Sequence, residues 1–196
     1  RTPPPAVSSL ATAVCVVNPM RPDGDSAAID PYEGAQHIHV RVADTADASC
    51  IARLLFDFNT EFDTPTPSAK ELTTRFQTML RRQDVMVLLV EDSSADHSRA
   101  FAYLPLHPTP YSDGPVAELE ELYVQPERRN RGVGSRLLEQ ALEQVRQRSA
   151  LEMRIGVDEA DTDARRFYER GVRNTEPGET SRMLCYVSDP PPLRRT

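Results

Sequence analysis

Apolar and polar residues alternate along His37-Ile-His-Val-Arg-Val42, the period-two pattern of a strand with one face buried. The period then lengthens. Ile51, Leu54, Leu55 and Phe58 recur at helical spacing behind Asp44 or Thr45, either of which can cap the first turn. Thr64-Pro-Thr-Pro67 breaks this pattern, and Ser68-Ala-Lys-Glu71 has the spacing of a capping box that opens a second helix through Leu72, Phe76, Met79 and Leu80. The almost wholly aliphatic run Val85–Val90 predicts a strand covered on both faces, with Arg99–Leu106 paired beside it and a further strand at Ala117–Val124. From Gly134 to Arg148, Leu137, Leu138, Ala141, Leu142 and Val145 share one helical face, and Arg146 and Arg148 lie near the end where the helix dipole favours cations. A strand at Leu151–Val157, a helix at Asp161–Arg170 and a strand near Met183–Val187 complete the order βααβββαβαβ. This predicts an α/β (α+β) fold: a mixed central sheet flanked by helices.

The regular pattern starts only at residue 37. The first 31 residues hold six of the 17 prolines, a composition that buries too little apolar surface to offset the entropy of ordering. We therefore expect a disordered tail over 1–36, one catalytic domain over 37–188 and a short tail over 189–196. Ala6–Val17 is apolar, but only Arg1 and three prolines lie on its N-terminal side, against a secretory leader, and it is too short to span a bilayer. Met20 leaves residues 1–19 open to being an upstream extension. Thirty acidic and 23 basic residues give a formal charge of −7, which repels a phosphate backbone and suits a cationic or neutral partner rather than nucleic acid or membrane. Cys15, Cys50 and Cys185 are far apart, with no spacing for a metal site, and fit a reducing, cytoplasmic setting.

The candidate chemistry begins after Val124. Gln125-Pro-Glu-Arg-Arg129-Asn-Arg-Gly132-Val-Gly134 runs straight into a helix, so exposed N–H groups and a positive dipole end meet where Arg128, Arg129 and Arg131 concentrate positive charge. Glycines at 132 and 134 remove Cβ atoms that would hold a pyrophosphate away from the backbone. A GxG alone is equally a tight helix start with solvated arginines. A dinucleotide-binding fold is excluded: Leu137 takes the third-glycine position, seven residues separate Val124 from Gly132, and too little chain follows for the remaining βα units.

Val124-x-Pro126-x-x-Arg129-x-x-Gly132-x-Gly134-x-x-Leu137 resembles the Arg/Gln-x-x-Gly-x-Gly/Ala signature of the GNAT superfamily of acyl-coenzyme A-dependent N-acetyltransferases. Ala164-Arg-Arg-Phe167-Tyr168-Glu-Arg-Gly171 resembles that family's second motif, and the element order over about residues 37–188 is the family's too. The resemblance implies a GNAT-like fold and acetyl-CoA as co-substrate, with no metal. Its cofactor-binding residues would be Leu122, Tyr123 and Val124 along the pantetheine, Arg129, Asn130, Arg131, Gly132, Val133, Gly134 and Ser135 around the pyrophosphate, and Asp161 and Tyr168 beyond. Three positions depart from the pattern: Asp161 stands where Asn is frequent, Asn130 where Gly is frequent, and Gly171-Val172 comes one residue early.

Acetyl transfer to an amine needs a neutral amine, a stabilised oxyanion and a protonated leaving thiolate. Tyr168 is the candidate acid and, without the motif, would read as an ordinary half-buried aromatic beside Phe167. Glu118 and Glu120 are the candidate bases. By resemblance Glu118 occupies a base position, although three glutamates at 118, 120 and 121 are also what a solvated strand end would show. Leu119 and Leu122 have opposite parity, and a bulge near Glu120 or Glu121 would bring both to one face. His37, His39 and His97 read as structural or exposed; His107 keeps a minor role near the acceptor. Asp57, Glu61 and Asp63 between the first two helices, with the loop 108–113 opposite, make an acidic mouth for a small cationic amine or a lysine side chain. A catalytically inactive acyl-CoA-sensing module is the alternative, and a homodimer is left open.

Overall fold

The computed structural model describes residues 38–92 and 98–175. Its elements are β1 (Ile38–Val42), α1 (Ala48–Glu61), α2 (Ala69–Met79), β2 (Val85–Asp92), β3 (Ala100–His107), β4 (Val116–Leu119), β5 (Glu121–Val124), α3 (Val133–Gln147), β6 (Glu152–Ile155) and α4 (Thr162–Thr175). The strand expected near Met183–Val187 and both tails lie outside the described residues. Where one strand was expected over Ala117–Val124 there are two, broken at Glu120.

Local chemistry sets the helix starts. Asp44 accepts the Ala46 N–H at 2.7 Å and caps a 3-10 turn, Thr45–Asp47, that leads into α1, while Asp47 returns its carboxylate to the Asp44 N–H at 2.8 Å. At α2 the Ser68 hydroxyl accepts from the Glu71 N–H, and Glu71 takes the Ser68 N–H at 2.9 Å, the reciprocal pairing of a capping box.

The sheet runs β1-β2-β3-β4-β6, with β5 continuing alongside β3. All pairs are antiparallel except β4 with β6, and a parallel pair needs a crossover, supplied here by α3. Strand β2 explains its own sequence. Met86, Leu88 and Val90 face one core with Leu137, Leu138, Ala141 and Tyr168, whereas Val87 and Leu89 face a second with Ile51, Leu54, Phe58 and Phe76. With both faces covered, no position on the run is left for a polar residue.

The start of the β4–β6 pair depends on a close approach. Leu151 donates its N–H to the Pro115 carbonyl at 2.8 Å, and a Cβ on Gly114 would stand 1.7 Å from the Ser149 carbonyl oxygen. Both partners are backbone, so no rotamer change relieves the clash. Gly114→Ala is expected to lower stability by about 1–3 kcal/mol or more, the cost of overpacking, against about 1 kcal/mol for loss of the α2 cap in Ser68→Ala. Urea denaturation of the two variants checks the order, and a Gly114→Ala midpoint equal to that of the parent would refute it.

Candidate active site

A register change in the middle of the sheet builds the site. On β3, Tyr103 pairs with Glu121 while Leu106 pairs with Ala117, so two residues of β3 face three of the opposite strand. The extra residue is Glu120, whose N–H donates to the Tyr103 carbonyl at 3.1 Å, and the arrangement is a β-bulge. The bulge places Leu119 and Leu122 in the same core on the α3 side, resolving their opposite parity as the sequence required.

The bulge also opens the sheet. The β4–β6 ladder ends at Leu119 opposite Ile155, and among the described residues β5 pairs only with β3. Gln125 donates to the Arg99 carbonyl at 3.0 Å, so by the antiparallel alternation Tyr123 and Glu121 bond toward β3, and the main-chain groups of Leu122 and Val124 point the other way. An extended amide-bearing chain can pair along such an edge. The Val124 carbonyl is already taken by Arg129 Nε at 2.9 Å.

That edge runs into an anion-accepting turn. Asn130 and Gly132 hold φ of 58° and 75°, left-handed conformations that turn successive N–H groups inward. Gly132 is the N-cap of α3 and offers no side-chain cap, so the first-turn N–H groups of Val133, Gly134 and Ser135 have no capping side chain. Two sequence expectations change here. The Arg129 guanidinium, expected at the phosphates, turns inward to a two-pronged pair with Glu61 at 2.7 Å on each prong, and stands 5.8 Å from the centre of the Tyr123 ring, whose hydroxyl donates to Glu61 at 3.3 Å. It ties the end of α1 to the turn. Nor does Gly134 clear space for a phosphate, because its missing Cβ would face Phe167 at 3.4 Å and Val124 at 3.7 Å. Arg131 is exposed beside the turn.

Tyr168 lies on α4, 5% exposed, in the core that holds Leu119, Leu122 and Val124, its ring edge-on to Phe167 at 5.0 Å. Asp161 accepts the Ala164 N–H at 2.9 Å and so caps α4. A cap accounts for an acid at this position independently of any pantetheine contact.

The three glutamates occupy different surroundings. Glu118 is exposed and lies 3.2 Å from His107 Nε2. Glu120 is half-buried, and its carboxyl is pushed up by burial and then by the neighbouring Glu118, with His107 opposing. Glu121 is the most enclosed: burial, then Glu120, raises its carboxyl to about 8, and its Oε2 has no hydrogen-bond partner among the described residues. Directly across the ladder from it, burial and Glu120 push the Tyr103 phenol up to about 12. Tyr103 and His107 line a cavity of about 180 Å³, and Asp57, Glu61, Tyr123 and Glu127 line a wider groove of about 450 Å³ beside α1. Of the expected acidic mouth, Glu61 is committed to Arg129. His37 and His97 lie outside the described residues, and His39 is an exposed neighbour of Glu91. Among the described residues no group of His, Cys, Asp and Glu could hold a metal ion, and no helix is long and apolar enough to cross a membrane.

A sequence profile described as Acetyltransferase (GNAT) family matches residues 51–172, well over half the chain. The chain belongs to the GNAT acetyltransferase family. A crystal structure of a protein described as an acetyltransferase from Arthrobacter sp. FB24 is 43% identical, covers 85% of this chain and 99% of its own, and superposes with a TM-score of 0.66. An aminoglycoside N-acetyltransferase, AAC(6')-Iy in complex with CoA, shares the fold at 17% identity and a TM-score of 0.61, over 78% of this chain and 95% of that one. An uncharacterised N-acetyltransferase of Archaeoglobus fulgidus is 39% identical over 64 residues, 32% of this chain and 44% of that relative, so the match spans less than half of that protein's length.

Proposed function

We propose that the chain transfers the acetyl group of acetyl-CoA to a primary amine, a small cationic amine or a lysine side chain. The observation that carries this reading is the continuity of the open β5 edge with the uncapped start of α3. A pantetheine amide chain needs main-chain partners and a pyrophosphate needs N–H groups, and the two surfaces lie end to end along one stretch of backbone. In this reading Leu122, Tyr123 and Val124 line the pantetheine, and the turn from Asn130 to Ser135 holds the phosphates. Arg129 acts by fixing the turn, and Asp161 by starting the helix that carries Tyr168.

The chemistry is direct transfer. The ammonium of the acceptor gives one proton to a carboxylate of the bulged strand, for which Glu118 and Glu120 are the candidates named by sequence; the neutral nitrogen then attacks the thioester carbon as the C–N bond forms. A main-chain N–H of β5 meets the oxyanion. The C–S pair leaves on sulfur, which takes the Tyr168 phenolic proton, and nitrogen loses its second proton as the amide forms, leaving one net proton in solvent. Asp57 and Glu127 along the groove beside α1 favour a cationic acceptor.

The test is release of free coenzyme A over a panel of polyamines, aminoglycosides and lysine peptides. Release with at least one amine is expected. Tight acetyl-CoA binding with no release from any amine would instead identify a coenzyme-binding module without transfer activity.

A further inference from the structure

We infer that Glu121, rather than Glu118 or Glu120, is the residue that takes the proton from the acceptor amine. This rests on the acetyltransferase reading and names the carboxylate it left open.

Placement argues for it first. Glu121 is the residue immediately after the bulge and immediately before Leu122, the first residue whose main-chain groups face the open edge. Its side chain shares a face with Tyr103 and Tyr123, toward α1 and α2, while Leu122 and Tyr168 lie in the opposite core. A thioester held at this edge would have Glu121 on one side of the strand and Tyr168 on the other. The amine would enter from the side of the carboxylate and the thiolate would leave toward the phenol.

Its surroundings argue for it second. The other two glutamates have partners or water: Glu118 is exposed and bound to His107, and Glu120 is half-buried beside Glu118 and His107. Glu121 has a buried oxygen without a hydrogen-bond partner among the described residues. The groups that face it are Glu120 on its own strand and Tyr103 on β3; Arg82 and Asp84, between α2 and β2, also act on Tyr103 but are paired with each other at 2.6 Å. None is a free cation. A buried carboxyl left without a positive partner is costly to retain for packing alone, and an arriving ammonium supplies that partner. A group titrating near 8 also accepts a proton from an alkylammonium, whose pKa is about 10, with a smaller uphill step than an ordinary carboxylate does.

Rates measured from about pH 6 to 10 with an amine that the parent acetylates test the assignment, the span being chosen to bracket both pKa values. The parent kcat/KM should rise through a limb near pH 8. Glu121→Gln should lose that limb and about 10²-fold or more at pH 7, recovering only as the free amine itself deprotonates. Glu121→Asp, which keeps the carboxyl but shortens it, should retain the limb at a reduced rate. Folding has its own readout. Because the folded pKa lies above the unfolded value, the neutral carboxyl stabilises the fold fully below about pH 4.3, and that contribution is lost as pH rises through about 8. Glu121→Gln should therefore unfold with a flatter pH dependence than the parent while still binding acetyl-CoA. A parent without turnover on any amine would sink the acetyltransferase reading itself. An active parent with the limb unchanged in both Glu121 variants, or with the limb lost in Glu120→Gln alone, would overturn the assignment to Glu121.

Discussion

Replacing Ser135 with Asp should make the coenzyme-free protein slightly more stable and at the same time sharply weaken its response to acetyl-CoA. Ser135 is exposed in the first turn of α3, where no side chain caps the N–H groups. A carboxylate there interacts favourably with the helix dipole, worth about 0.3–1 kcal/mol. The same carboxylate would stand where a diphosphate must bind. Two like charges at about 4 Å repel by roughly 4 kcal/mol at a protein surface, and screening at physiological salt reduces this to a loss of affinity on the order of 10²-fold. Calorimetric titration and thermal shift report the two effects separately. At a ligand concentration near 100 times Kd the parent should gain about 2.7 kcal/mol, and the variant almost nothing. Undiminished affinity in Ser135→Asp would remove the pyrophosphate from this turn.

The Tyr168→Phe exchange should leave acetyl-CoA affinity nearly intact and slow turnover by about 10²- to 10⁴-fold. The ring is 5% exposed and packed edge-on against Phe167, and Phe preserves that contact, so only the hydroxyl is lost. If the hydroxyl protonates the departing sulfur, the defect should shrink with an acetyl donor whose thiol is more acidic, because such a thiolate leaves without help. A variant as fast as the parent, with the chemical step limiting, would reject Tyr168 as the acid.

Features built from neighbouring residues were the most legible in the sequence. The Ser68–Glu71 box, the cap at Asp44 and the strand Val85–Val90 each state their structure within a few positions. The turn before α3, to which we assign the phosphates, was legible as a glycine turn for the same reason, since its glycines and the helix that follows are contiguous. The bulge could be read only indirectly, as a conflict of parity between Leu119 and Leu122. What stayed hidden depends on the third dimension. Glu61 and Arg129 are 68 positions apart, and nothing in the spacing of either says that one neutralises the other. The Gly134 clearance toward Phe167 arises from the packing of α4 on α3, which a one-dimensional pattern does not contain. The ranking of Glu118, Glu120 and Glu121 depends on how much water reaches each carboxyl, which identical residue types cannot express.

The supernumerary residue at Glu120 has a consequence for how this stretch can vary over evolutionary time. Substitutions at 118–121 exchange one side chain, but loss of a single codon there would close the strand into a regular ladder and remove the bend that the extra residue puts into it. Leu122 and Val124 would keep their partners on β3 and the face they now share with Leu119, so the core would survive while the break that ends the β4–β6 ladder at Leu119 would not. Changes in length at this point are therefore far less tolerable than changes in identity, and homologous enzymes are expected to drift in the letters of the Glu118–Glu121 segment while preserving their number.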